Sequence, residues 1–90
     1  MRRIEALVEG RVQGVNFRRY VKGVAERNDI KGRVKNLADG NVELIAEGDE
    51  AKLRIMIEEI KGADLPIQVE DISLTWSDSE GEFSSFTISR

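Results

Sequence analysis

The residues that end the first strand pattern have the types and spacing of an anion-binding loop. Residues 10–18 read G-R-V-Q-G-V-N-F-R, so a glycine turn is followed by an arginine that opens a helix pattern. Free amides and the positive dipole end of a helix attract phosphate or carboxylate, and Gly14 allows the backbone to approach closely. Arg18 in the first helical turn leans back over the loop, where its guanidinium can fork onto the same oxygens. The segment therefore predicts a site for a small anion.

The same residues also have ordinary structural interpretations. The loop could be a tight turn followed by a solvated arginine, because short glycine motifs often arise by chance. Val15 and Phe17 are expected to pack in the loop or core and to offer a ligand only their backbone donors. Asn36, later in the chain, could simply shape the turn ahead of a hairpin. These alternatives stay open from the residue pattern alone.

Composition limits the chemistry that the chain can perform. It has no cysteine and no histidine, which excludes disulfides, iron-sulfur clusters, structural zinc, a thiol nucleophile and the commonest general base. Any reaction must use arginine, carboxylates, amides, hydroxyls or backbone, and we expect neither metal nor cofactor. No apolar run approaches the ~20 residues of a membrane span, and no signal-peptide pattern opens the chain. Its 90 residues make one domain, 1–90, which we expect to be cytoplasmic and monomeric.

The charge distribution favours a small anionic ligand over a polyanion. The net charge is −3, yet residues 11–35 hold eight basic and two acidic side chains. That window is therefore +6, and the rest of the chain is −9. A positive patch on an acidic body can steer a small anion to one place while discouraging broad binding to nucleic acid.

Hydrophobic periodicity assigns these residues to strands and helices. Residues 4–12 alternate with the period of two that is typical of a half-buried strand, and residues 17–25 then follow the period of a helix. Two further strands flank Asp39-Gly40, a favoured hairpin dipeptide. The remaining predicted elements are a helix from about Asp49 to Gly62, a strand after Leu65-Pro66 and a short terminal strand suggested by Phe83, Phe86 and Ile88.

The predicted order of elements is strand, helix, strand, strand, helix, strand and a terminal strand. This order is typical of an α+β, ferredoxin-like βαββαβ fold, in which two helices cover one face of an antiparallel sheet. The first two strands then run in the same direction and end where the first helix begins. Asn36 shares the helix-side face of Val34, about 10 Å from the first strand. Two distant segments are therefore expected to meet at one pocket.

The two segments together resemble the signature of the acylphosphatases, small enzymes that hydrolyse the acyl phosphate bond. The likeness lies in G-x-V-Q-G-V-x-F-R and, 13 residues later, in G-x-V-x-N-x-x-D-G-x-V-E. A later P-x-x-V, Pro66-Ile67-Gln68-Val69, extends it along the chain. Arg33 stands where family members often carry an aromatic residue. The resemblance implies catalytic roles for Arg18 and Asn36.

Hydrolysis of an acyl phosphate needs little acid catalysis, because the leaving group is a carboxylate that departs without a proton. The protein must neutralise the phosphoryl oxygens and hold water in line. Asn36 would orient the water, because a side-chain amide can both donate and accept but is a poor base. The residues predicted to bind the phosphate are Arg18 and the loop residues Gln13, Gly14, Val15, Asn16 and Phe17.

Two other functions are compatible with the same pattern. One is a non-catalytic module that binds acyl phosphate or carbamoyl phosphate, as in hydrogenase maturation proteins, although those continue into cysteine-rich zinc segments. The other is RNA binding on the open sheet face around Lys31, Arg33 and Lys35, although the aromatic residues that stack RNA bases are missing there. We expect an acyl phosphate and inorganic phosphate as ligands, and no nucleic acid or membrane as partner.

Overall fold

The chain folds around one mixed β-sheet. In the computed structural model, which describes residues 1–89, the sheet has five strands and two helices pack on one of its faces. The elements are β1 (Arg2–Arg11), α1 (Phe17–Arg27), β2 (Lys31–Asn36), β3 (Val42–Gly48), α2 (Glu50–Lys61), β4 (Gln68–Asp78) and β5 (Phe86–Ser89). The strand order is β4-β1-β3-β2-β5, antiparallel except where β5 lies parallel to β2. This confirms the predicted ferredoxin-like fold with its extra terminal strand.

Alternation along the strands directs one face of the sheet toward the helices. In β1, Ile4, Ala6 and Val8 are buried, and all three lie opposite buried residues of β3. Each helix covers this face with one apolar stripe, and removing that surface from water drives folding. The stripes are Phe17, Val21, Val24 and Ala25 on α1, and Leu53, Met56, Ile57 and Ile60 on α2. Neither helix of the described residues is long and apolar enough to cross a membrane.

The sheet topology brings the ends of β1 and β2 to one edge. β3 lies between these two strands and is antiparallel to both, so β1 and β2 run in the same direction. Their last residues, Arg11 and Asn36, therefore lie at the edge where α1 begins. This confirms the convergence that the predicted order of elements implied.

A β-bulge lies opposite the last residues of β1, just before the chain enters the loop. Glu9 pairs with Asp71 and Gly10 pairs with Val69, so Glu70 is an extra residue on β4. Gly10 has a φ of 130°, and a Cβ there would collide with the Gln68 carbonyl oxygen. Glycine is therefore required at this position, and the extra residue reverses which side chains of β4 face the helices. This explains why Val69 and Ile72, three positions apart, both pack on the core.

The terminal strand is shorter than its apolar residues suggest. It begins at Phe86, whereas Phe83 lies in the preceding loop with its ring centroid 5.7 Å from the guanidinium carbon of Arg3. To connect β4 at one edge of the sheet with β5 at the other, the loop must pass the ends of β1, β3 and β2. The prediction that Phe83 belongs to the strand is wrong because a cation beneath the loop, and not the sheet, holds the ring.

A buried ion pair fastens this loop at the end of the sheet opposite the edge where α1 begins. Arg3 and Glu47 are only 5% and 6% exposed, and their side chains meet at 2.8 Å. Glu47 also accepts hydrogen bonds from the amides of Glu80 and Gly81 and from the Ser79 hydroxyl. Burial alone would raise the pKa of Glu47, but these hydrogen bonds and the Arg3 guanidinium together lower it to about 2. The carboxylate therefore stays ionised and joins β1, β3 and the loop.

Replacing Glu47 with glutamine is expected to destabilise the fold by roughly 3 kcal/mol, because it leaves a buried guanidinium without its main counter-charge. Arg3 keeps contacts with Glu5 and Glu82, so the loss stays below that of a fully orphaned charge. For a domain of this size, that loss lowers Tm by roughly 12 to 24 °C. Chemical and thermal unfolding at neutral pH would measure it.

The stability gap between the parent and Glu47→Gln should also depend on pH in a defined direction. The folded pKa of Glu47 is about 2, against 4.5 for an unperturbed glutamate, so below pH 4.5 protons bind the unfolded chain preferentially. The contribution of the ionised carboxylate to the free energy of unfolding is complete above pH 4.5 and is lost as the pH falls toward 2. The matched control is Glu43→Gln, which breaks a half-exposed pair with Arg33 and should cost about 1 kcal/mol or less. Equal losses in the two variants, or a gap that does not narrow in acid, would contradict the assignment.

Candidate functional site

A cavity of about 310 Å³ lies at the edge where β1, β2 and α1 meet. The loop after β1 and the first turn of α1 form one wall, the end of β2 forms another, and β5 closes a third side. Its lining residues are Val12, Gly14, Asn16, Phe17, Arg18, Arg19, Asn36 and Ile88. Among the described lining residues none is acidic, so two arginines set the charge of the cavity.

The first turn of α1 offers unpaired backbone donors to this cavity. Within residues 1–89, the amides of residues 14–19 have no hydrogen-bond acceptor, and the helix ladder begins with the Tyr20 amide donating to the Asn16 carbonyl at 3.1 Å. Asn16 precedes the helix in the left-handed conformation, with φ 63°, and its side chain makes no cap. Gly14 has φ 74° and open space where a Cβ would stand. The loop therefore presents amides and the positive end of a helix dipole together.

The terminal strand β5 holds the side chain of Arg18 by a hydrogen bond. Its Nη1 donates to the Ser89 carbonyl oxygen at 2.9 Å, and the side chain is half-buried. A guanidinium has five N–H donors in a planar fork, so this contact orients the group and leaves donors free for a ligand. Ser89 thus orients Arg18 through its backbone carbonyl. The side-chain pattern of the sequence does not reveal such a backbone contact.

Asn36, the last residue of β2, reaches the same cavity. It shares the helix-side face of Val34, which is fully buried. Its Oδ1 is buried and has no hydrogen-bond partner within residues 1–89. Buried polar atoms are nearly always paired in proteins, so this acceptor is suited to a water or ligand group in the cavity.

Gln13 and Val15 do not line the cavity, unlike the other residues that the sequence nominated. The Gln13 amide donates to the carbonyl oxygens of Leu37 and Asn41, both at 2.8 Å, which ties the loop to the hairpin between β2 and β3. Val15 is partly buried and packs against the core. The side chain of Gln13 thus positions the loop relative to Asn36, and the structure brings Gly14, Asn16, Phe17, Arg18 and Asn36 together around the cavity.

Three lining residues were not nominated from the sequence. Val12 belongs to the alternating pattern of residues 4–12; it is buried in the core and also lines the cavity. Ile88 arrives on β5, whose position depends on long-range pairing with β2. Arg19 is exposed, as helical periodicity predicts, and it lines the cavity because the helix begins so close to the loop.

Asp39, three residues after Asn36 in the chain, has a structural partner. Asp39 accepts from the backbone amide and the side-chain amide of Asn41, which fixes the hairpin turn. Within the described residues, no three acidic side chains stand close enough together to hold a metal ion. Among the described residues, the polar groups around the cavity are two arginines, one asparagine at the end of β2 and the loop with its unpaired backbone amides.

Comparisons with known proteins identify the family to which the chain is similar. A family model described as Acylphosphatase matches residues 4–88. The acylphosphatase of Salinibacter ruber is 38% identical over 89 residues, which cover 99% of this chain and 94% of that protein. The acylphosphatase of Bacillus subtilis is 43% identical over 82 residues, covering 91% and 90%.

Solved structures give the same result for the fold. The crystal structure of acylphosphatase from Bacillus subtilis matches with a TM-score of 0.95 and 40% identity, over 100% of both chains. Full-length HypF in its phosphate- and nucleotide-bound form matches with a TM-score of 0.87 and 26% identity. The match covers 100% of this chain and 12% of the HypF chain. The sequence resemblance is therefore confirmed, and the chain belongs to the acylphosphatase family of acyl phosphate hydrolases.

Proposed function

We propose that the chain cleaves the carboxyl-phosphate bond of acyl phosphates with Arg18 and the loop amides as phosphate ligands and Asn36 as the water ligand. The observation that carries this proposal is the free, buried Oδ1 of Asn36 in the same cavity as Arg18 and the first turn of α1. A buried acceptor without a partner costs free energy. An attacking water would supply the missing hydrogen bond and would be held beside the bound phosphoryl group.

Phosphoryl oxygens fit the start of α1 for electrostatic reasons. The unpaired amides of residues 14–19 and the helix dipole favour negative charge, and Gly14 has no side chain to block approach. Arg18 retains donors beyond the one that Ser89 accepts. As charge spreads over the equatorial oxygens in the transition state, donors already fixed in place stabilise it without reorganisation.

The chemical step needs no protein base. The water oxygen bonds to phosphorus, the bond from phosphorus to the acyl oxygen breaks, and the carboxylate leaves with the bonding electrons. The water proton passes to a phosphoryl oxygen of the substrate, because an asparagine amide is a poor base and the chain has no histidine. The products are a free carboxylate and inorganic phosphate.

The proposal also covers domain organisation, oligomeric state, location and partners. We propose one domain over residues 1–90, of which Arg90 lies outside the described residues, acting as a cytoplasmic monomer on a small molecule. Arg33 in the basic row of β2 pairs with Glu43 at 3.6 Å. This acidic neighbour supports the expectation that the open sheet face does not bind nucleic acid.

Hydrolysis of benzoyl phosphate would test the function. The purified chain should release phosphate far above the spontaneous rate and should keep that rate in a strong chelator, because the proposed ligands are arginine, amides and asparagine. Asp39, the carboxylate nearest to Asn36 in sequence, already accepts hydrogen bonds from Asn41. Activity that is lost in chelator and restored by magnesium would contradict the proposed site. Phosphate binding without turnover would instead favour the non-catalytic module.

A further inference from the structure

Arg19 is a second cation at the cavity that the proposed reaction does not use. Arg19 lines the cavity together with Arg18. Within residues 1–89 it forms neither an ion pair nor a side-chain hydrogen bond, whereas Arg27 at the other end of the helix pairs with Glu59 at 3.0 Å. As far as the described residues go, the guanidinium of Arg19 therefore has no partner that would compete with a ligand.

Helix stability does not explain the presence of this arginine. A cation near the positive end of a helix dipole is unfavourable, and an acidic residue there is favourable. α2 follows this rule, since Asp49 caps it through the Lys52 amide and Glu50 lies in its first turn. The first turn of α1 has no acidic residue, no side-chain cap and two adjacent arginines. The charge in this turn is thus arranged for an anion and against local stability.

The two arginines approach the cavity from different directions. Consecutive helical residues are about 100° apart around the axis, and Arg18 is held toward β5 by the Ser89 carbonyl. The cavity of about 310 Å³ is also roughly ten times the ~30 Å³ that one water occupies in the liquid. There is room for a phosphoryl group and for part of the acyl portion that it is attached to.

We propose that Arg19 binds a second anionic group, a carboxylate or a phosphate, on the acyl portion of the substrate. The enzyme then prefers acyl phosphates whose acyl part is itself charged. This inference rests on the proposed function, in which the loop amides and Arg18 already satisfy the phosphoryl group. Arg19 is a specificity-determining residue, because its contact lies away from the bond that breaks.

Matched aromatic substrates would test the preference. We would measure kcat/KM for benzoyl phosphate, para-carboxybenzoyl phosphate and para-phosphonobenzoyl phosphate, which share the same reacting bond. The parent should favour at least one charged substrate over benzoyl phosphate, and Arg19→Gln should reduce that ratio by roughly three- to tenfold, as expected for an exposed charge contact. The charged substrate with the larger ratio identifies the preferred anion.

Lys22→Gln is the matched control. Lys22 lies one turn further along α1 and does not border the cavity. The Lys22→Gln substitution therefore removes the same charge from the same helix without removing a cavity residue. Either variant weakens long-range attraction of any anion, and only the ratio between substrates reports a direct contact. A ratio unchanged in Arg19→Gln, or reduced equally in Lys22→Gln, would overturn the inference.

The test also separates this inference from the proposed function. If the parent hydrolyses none of the three substrates, the proposed function fails. If it hydrolyses benzoyl phosphate but shows no preference that depends on Arg19, only the inference fails. Thermal unfolding of Arg19→Gln should show equal or higher stability, because a cation leaves the positive end of the helix, and misfolding then cannot explain a lost preference.

Discussion

Replacing Asn36 with alanine is expected to lower kcat by about 10²- to 10³-fold, the usual effect of losing one preorganised polar contact at a reacting centre. The affinity for inorganic phosphate should stay near that of the parent. The reason is the proposed division of roles in the cavity, in which Asn36 would contact the water and Arg18 with the loop amides would contact the phosphoryl group. Single-turnover rates and phosphate Kd, measured on the same preparation, would check both statements.

Asn28→Ala provides the control for the loss of an asparagine side chain. Asn28 donates to the Val24 carbonyl at 2.8 Å, at the far end of α1 from the cavity. Its replacement should cost about 1 kcal/mol of stability and leave kcat at the parental value. If Asn36→Ala behaves in the same way, Asn36 is only a residue of the hairpin and has no part in the mechanism. If phosphate affinity falls together with kcat, Asn36 binds the phosphoryl group and not the water.

Sequence patterns predicted the candidate site from features that are local in the chain. Gly14 and Arg18 belong to one strand-loop-helix junction, and the period of two along β2 placed Asn36 on the helix side. The neighbours that complete the cavity depend on contacts between distant segments. Ile88 and the Ser89 carbonyl reach the site only because β5 pairs parallel to β2. Periodicity within one segment cannot predict which strand another segment will join.

The fold was predictable to the same extent and for the same reason. Alternation and helical periods predicted the order of elements and the core stripe of each helix, because burial repeats with the local geometry. The burial of Glu47 was not predictable, since it results from a loop that crosses three strands and brings the Glu80 amide to the carboxylate. The bulge at Gly10 likewise depends on β4, which lies about 60 positions later in the chain.

Replacing Arg18 with alanine is expected to lower kcat/KM by roughly 10³-fold or more, in the range seen when an arginine that stabilises phosphoryl transfer is lost. Because Arg18 is proposed to hold the phosphoryl group before and during the reaction, KM and phosphate Kd should rise as well as kcat fall. This pattern separates Arg18 from Asn36, whose loss is expected to spare phosphate affinity. Steady-state kinetics and phosphate titration of both variants would distinguish the two roles.

Arg18→Lys should fail to restore activity, and this outcome tests the geometry more sharply than alanine does. One donor of Arg18 is already engaged by the Ser89 carbonyl, so the side chain must span the terminal strand and the ligand at the same time. A lysine retains the charge but presents a single ammonium, which cannot reproduce a planar fork between two partners. Arg27→Ala is the matched control, because it removes an arginine from the same helix at an exposed pair with Glu59 and should leave kcat/KM unchanged. Recovery of parental kcat/KM in Arg18→Lys would mean that charge alone suffices, and the orienting contact from Ser89 would then have no role in catalysis.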